Sequence, residues 1–284
     1  MKTYLSVGIG DMMCLDSLLT NEERESITEI YWACRFGKVL APLMESNPGY
    51  PNLKNQYFID DQVGKDAMSQ LDPIAIPFWH FRPDFPRNFQ IGLSLFGLNE
   101  SDVQAIDVAG TFSEVCESVK RGVPRNELFY ESTFLKYAKS PPSYEDYILF
   151  HYPTSTRPKQ DICEINDSDW QFVESLSSKT NKKVIVVSDH PIEVPLSNFE
   201  LLVNPDIELI VQLVAFCEYY TGCDSFCSIL ASKRLPKENL YVKTHDSNIT
   251  SNLLSGNCGF MYSYFNPHPP NDIAYFYKPY LGDS

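Results

Sequence analysis

Tyr4-Leu-Ser-Val-Gly-Ile-Gly-Asp11, with the apolar run Met12 to Leu19 behind it, decides how the rest of the chain is read. Leu5, Val7 and Ile9 alternate with small residues, as in a buried strand. Gly8 and Gly10 permit a tight turn with close backbone approach, and Asp11 opens a helix. Strand, Gly-rich turn and helix start together present a site at the carboxyl edge of an α/β sheet. Gly-x-Gly-Asp lacks the third Gly of the dinucleotide fingerprint and the Gly-Lys-Ser/Thr of a phosphate loop. Taken alone, the stretch is a tight βα turn with Asp11 as the helix N-cap.

Working outward, the first half continues the alternation. Ser26 to Ala33 reads as a second strand, Lys38 to Met44 as a short helix ended by Asn47-Pro-Gly49, and Gln56 to Ile59 as a third strand. Between Leu71 and Pro86 the prolines at 73, 77, 83 and 86 rule out a long regular element. The aromatic cluster there holds Trp79, His80 and Arg82, which are candidates for holding an acceptor, or members of a packed loop. Helices are expected over Phe89 to Leu98, Thr111 to Lys120 and Asn126 to Ala138, and a weak strand over Ser101 to Val108.

Lys139-Ser-Pro-Pro-Ser143 is the best linker, and a second α/β pattern starts after it. Strands are expected at Tyr147 to Phe150, Lys183 to Val187, Phe199 to Val203, Glu218 to Thr221 and Asn239 to Val242. Helices fall between them, at 167–178, Ile207 to Phe216 and Asp224 to Ser232. The expected division is residues 1–140, residues 141–254 and an aromatic, Pro-rich tail at 255–284 packing back on the body.

Composition bounds the function. The 284 residues suffice for two domains, and the net charge of −14 argues against a general phosphate-binding surface for DNA or RNA. A local basic groove using Arg82, Arg87, Lys120, Arg121 and Arg125 stays open. The eight Cys show no Cys-x-x-Cys spacing, which fits reduced thiols better than a zinc site or disulfide frame. No apolar run approaches the roughly 18 residues of a membrane span, and the first strand begins close to Met1. A cytoplasmic protein without stable membrane insertion is expected.

Two stretches in the second half bear on chemistry. His151-Tyr-Pro-Thr-Ser-Thr-Arg-Pro-Lys159 follows a strand with three hydroxyls and two cations, a set suited to a diphosphate or to a solvated polar turn. Tyr220-Thr-Gly-Cys-Asp-Ser225 runs from a strand through Gly222 into a helix start, whose first N–H groups can hold phosphate.

With those residues in view, the sequence resembles the bacterial heptosyltransferase family, sugar-nucleotide enzymes of the two-domain GT-B fold. The resemblance runs from Tyr4 to about Asp246. It is carried by Gly8-Ile-Gly-Asp11, by His151 to Lys159, and by Gly222-Cys-Asp-Ser225 with Ser228 to Ala231. Phe226 and Ile229 depart from the family pattern, which has Gly and His there. The resemblance implies two Rossmann-like α/β domains facing a cleft, and an inverting, metal-independent transfer of a sugar from a nucleoside-diphosphate sugar to an acceptor hydroxyl. Asp11 would be the catalytic base. Gly8, Gly10, Thr154, Ser155, Thr156, Arg157, Lys159, Gly222, Asp224 and Ser225 would hold the donor, and Trp79, His80 and Arg82 the acceptor. No cofactor is implied beyond the nucleotide sugar as substrate. The acceptor would be a surface glycan or lipid-linked sugar. Alternatives are a phage-type enzyme acting on a hydroxymethylated DNA base, and a non-catalytic nucleotide-sugar-binding protein.

Overall fold

A computed structural model describes residues 1–71, 79–108, 111, 114, 118, 130–141, 143–152, 165–223, 225–244 and 260–263. The chain divides into two compact units, Met1–Tyr137 and Ala138–Ser284.

The first unit is a four-stranded parallel sheet in the order β3-β2-β1-β4. Its strands are β1 Lys2–Leu5, β2 Glu29–Trp32, β3 Asn55–Phe58 and β4 Gln104–Ala105. Helices α1 Ile9–Leu18, α2 Asn21–Ser26, α3 Gly37–Glu45, α4 Asp61–Ser69, α5 Pro86–Leu95 and α6 Thr133–Lys136 surround it. Tyr4, Tyr31, Trp79, Phe81, Phe89 and Leu93 form the core on one side. Full burial of each such side chain contributes roughly 1.5–3 kcal/mol.

Local capping explains three features of this unit. The first strand stops at Leu5, and Ile9 already lies in α1, so Gly8 rather than Asp11 is the N-cap. Asp11 sits one turn in and accepts the Gly8 N–H. The polar stretch after Leu19 is a helix, because Thr20 and Glu23 cap each other's backbone N–H groups at 3.1 and 2.7 Å. Asp60 starts α4 by accepting from Gln62 and Val63, and those N–H groups hold its carboxyl below the usual range.

The second unit is a six-stranded parallel sheet, β10-β9-β8-β5-β6-β7. Its strands are β5 Ile148–His151, β6 Val184–Ser188, β7 Phe199–Val203, β8 Tyr219–Cys223, β9 Leu240–Thr244 and β10 Phe260–Ser263. Helices α7 Asp167–Thr180, α8 Ile207–Phe216 and α9 Phe226–Arg234 lie between strands in sequence. Counted from β5, the order is 3-2-1-4-5-6, the doubly wound arrangement of nucleotide-binding sheets. β5 and β6 are buried throughout, which explains their unbroken apolar runs. β10 is a strand within the aromatic, Pro-rich 255–284 tail; the rest of that tail lies outside the described residues.

Among the described residues, no helix is long and apolar enough to cross a membrane.

Candidate functional site

Each sheet reverses its strand order once, beside its first strand. In a parallel sheet that reversal opens a crevice at the carboxyl edge, because neighbouring connections leave in opposite directions. In the first unit the reversal lies between β1 and β4, and in the second between β5 and β8.

The crevice of the first unit holds a small pocket lined by Ser6, Asp11, Arg82, Asp84, Asp107 and Val108 among others. The Asp11 Oδ2 atom accepts the Gly8 N–H at 2.8 Å and lies 3.7 Å from Arg82 Nη2. Oδ1 accepts no hydrogen bond among the described residues. Both side chains are half-buried, so the carboxylate is positioned yet reachable. Ser6 is fixed by donating to Ala33 O at 3.0 Å. Gly10 is in the first turn of α1, and a side chain on Gly8 would press on Asp11 Oδ2 at 3.1 Å.

The structure separates the three candidate acceptor residues. Arg82 reaches the pocket. Trp79 is 1% exposed and packs in the core against Gly64, where an added Cβ would come within 2.7 Å of the indole. His80 forms a bridge with Cys34 and lies 5.7 Å from the Phe36 ring. Burial, with the Arg82 and Arg35 guanidinium groups near it, pushes its imidazole down to about 3. His80 is therefore neutral at physiological pH.

In the second unit His151 ends β5 instead of opening the following loop, and it pairs in register with Gly222 of β8. Gly222 has φ +145, and a Cβ there would stand 2.4 Å from the His151 carbonyl oxygen. Ser225 is the N-cap of α9; its Oγ accepts from Cys227 N at 3.2 Å and is 3.0 Å from His151 Nδ1. His151 is 2% exposed, and its Nδ1 also lies 3.9 Å from Cys223 Sγ. The helix start beside β5 is thus held by a buried imidazole. Thr154, Ser155, Thr156, Arg157, Lys159 and Asp224 lie outside the described residues.

Phe226 and Ile229 take two of the positions where the sequence departs from the heptosyltransferase pattern. Phe226 opens α9 with its ring 6.2 Å from that of His151, and Ile229 is buried. Both are accounted for by packing.

Asp189 is a residue the sequence reading missed. It directly follows β6, the second strand of the doubly wound order, where an acidic side chain meets ribose hydroxyls in nucleotide-binding sheets. It contacts His190 Nδ1. The signal was an acid two residues beyond the expected Lys183 to Val187 strand. The chain also contains an Asp-x-Asp, Asp167-Ser168-Asp169. There Asp169 accepts the Asn166 N–H at 2.8 Å in the cap of α7, a structural use.

No family model matches the chain, and no curated protein matches it in sequence. Among solved structures it is similar to a glycosyl transferase family 9 protein from Veillonella parvula, with 9% identity over 87% of this chain and 80% of that one, TM-score 0.48. It is similar to a putative UDP-N-acetylglucosamine 2-epimerase from Listeria monocytogenes, with 9% identity over 92% and 82%, TM-score 0.46. It is similar to the E. coli heptosyltransferase WaaC with ADP-2-deoxy-2-fluoro heptose, with 12% identity over 90% and 96%, TM-score 0.39. These are likenesses of chain course, and none assigns a role to a residue here.

Proposed function

We propose that the protein is an inverting glycosyltransferase that moves a sugar from a nucleoside-diphosphate sugar to the hydroxyl of a glycan or lipid-linked acceptor. The observation that carries this reading is Asp11. Its carboxylate sits at the strand-order reversal of a parallel sheet, with one oxygen fixed by Gly8 N–H and the other uncommitted among the described residues.

In the reaction, Asp11 Oδ1 takes the proton of the acceptor hydroxyl as its oxygen attacks the anomeric carbon. The bond from that carbon to the diphosphate oxygen breaks, its electron pair leaves with the nucleoside diphosphate, and configuration inverts. Arg82 Nη2, 3.7 Å from the same Oδ2 that accepts the Gly8 N–H, offsets the carboxylate charge and leaves Oδ1 to the acceptor. On the donor side, the α9 start with Ser225 receives phosphate oxygens, and Asp189 accepts from the ribose hydroxyls. Thr154, Ser155, Thr156, Arg157, Lys159 and Asp224 complete the donor set, and no metal is needed.

The test is a melting-temperature series with ADP, GDP, UDP and CDP, each with and without EDTA, followed by nucleoside-diphosphate release from the matching sugar donors. One nucleotide is expected to stabilise the protein by about 2.7 kcal/mol at a hundred times its Kd, unchanged by EDTA. No stabilisation by any of the four would remove the donor site and the reaction with it.

A further inference from the structure

At the opposite, amino edge of the first sheet lies a cavity of about 260 Å³ that the transfer reaction does not use. Three segments meet there: α2, which leads into β2; the Pro48–Pro51 turn, which leads into β3; and the chain around α6. Its volume falls just under the roughly 300–1,000 Å³ of drug-sized pockets, which suits one small ligand unit.

The floor is rigid and polar. Arg24 and Thr133 are 3% and 4% exposed. Arg24 Nη1 donates to Asp16 O at 2.6 Å and Nη2 to Asn21 Oδ1 at 2.7 Å. The Thr133 hydroxyl and N–H both bind the buried Asp16 carboxylate, at 2.6 and 2.7 Å. The walls are different in kind. Tyr130 is 54% exposed and Tyr137 43%, and the exposed rings of Pro48 and Pro51 stand in the same lining.

Charge narrows the ligand. The two cations of the lining are both engaged, Arg24 as above and Lys136 by Glu131 at 3.0 Å. Glu25 and Glu131 balance them, so nothing in the lining favours a phosphate or another polyanion. What remains are the Tyr130 and Tyr137 rings, the latter with Lys136 Nζ 5.8 Å from its centroid, and the two prolines, with the carboxylate of Glu25 and the amide of Asn21 in the same lining. Aromatic faces attract the polarised C–H face of a pyranose ring, and carboxylates accept from its hydroxyls. We propose that this cavity is a non-catalytic binding site for a neutral glycan, gripped between Tyr130 and Tyr137. It stands apart from Asp11 and does not depend on the reaction proposed above.

Saturation-transfer NMR with maltohexaose, cellohexaose, chitohexaose and mannohexaose as probes tests the assignment. At least one probe is expected to bind. The Tyr130→Ala/Tyr137→Ala pair lowers that affinity about tenfold or more, while Tyr130→Phe/Tyr137→Phe keeps the stacking and most of the affinity. Both tyrosines are exposed, so both variants fold, and their melting response to nucleoside diphosphates matches the parent's. Failure of the full-length protein to bind any of the four probes would overturn the proposal. So would binding that the double alanine variant leaves unchanged, or a preference for a heparin hexasaccharide over all four. Loss of the nucleotide response in the parent protein would strike the transferase reading and leave this site standing.

Discussion

Asp11 Oδ2 accepts the Gly8 N–H at 2.8 Å, so the carboxylate is locked to the backbone of its own helix start. Asn at position 11 keeps an acceptor for that N–H but loses the basic oxygen. Asp11→Asn is therefore expected to lower kcat by about 10²–10⁴-fold. Nucleoside-diphosphate affinity should stay within about twofold, since no donor contact is removed. Steady-state kinetics with parallel calorimetry separates the two, and an unchanged kcat would remove Asp11 from the base role.

Gly222 can be no other residue without displacing His151. Gly222→Ala places a methyl group 2.4 Å from the His151 carbonyl oxygen at φ +145. The expected loss is about 1–3 kcal/mol of stability, read from the urea midpoint of the second unit. Nucleotide binding should weaken with it, because β5 and the α9 start move apart.

Asp16 is fully buried, and its two oxygens accept from Tyr50, Ser132 and, twice, Thr133. Asp16→Ala strands four donors inside the first unit. A loss of about 3–5 kcal/mol is expected, a large share of a domain's stability. Urea unfolding followed by tryptophan fluorescence reports it, since Trp32 and Trp79 are both in that unit. A shift under about 1 kcal/mol would show that the network carries little.

His80 gives the first unit an acid sensitivity of known sign. Its folded-state value, about 3, lies below the ordinary 6.5. The unfolded chain therefore binds the proton first. The associated stability is present above about pH 6.5 and is lost as pH falls from there toward 3. The slope reaches at most about 1.4 kcal/mol per pH unit. His80→Leu should flatten the fall of the melting temperature between pH 6.5 and 4 relative to the parent, and an identical slope in the two proteins would contradict this origin.

Much of the fold could be read from local pattern. β7 and α8 fall where the apolar run Phe199 to Val203 and the amphipathic run Ile207 to Phe216 place them, because burial there follows chain periodicity. The α2 helix was missed: its polar composition disguised the Thr20-x-x-Glu23 capping signal. The placement of the Asp11 carboxylate at the turn was legible because its backbone partner, the Gly8 N–H, is only three residues away.

Other features exist only through contacts distant in sequence. Trp79 and Arg82 are three residues apart, yet one fills the core against Gly64 and the other reaches the Asp11 pocket. The antiparallel bridge of His80 with Cys34 holds the segment extended, and an extended backbone sends alternate side chains opposite ways. Asp16 meets Thr133 across 117 residues, and His151 meets Ser225 across 74. By itself the sequence determined the α/β class and most of the strands and helices, because hydrophobic period and capping are local. Tertiary structure alone decided the strand orders, and through them which side chains share a crevice. A parallel ladder joins segments whose separation along the chain leaves no local trace.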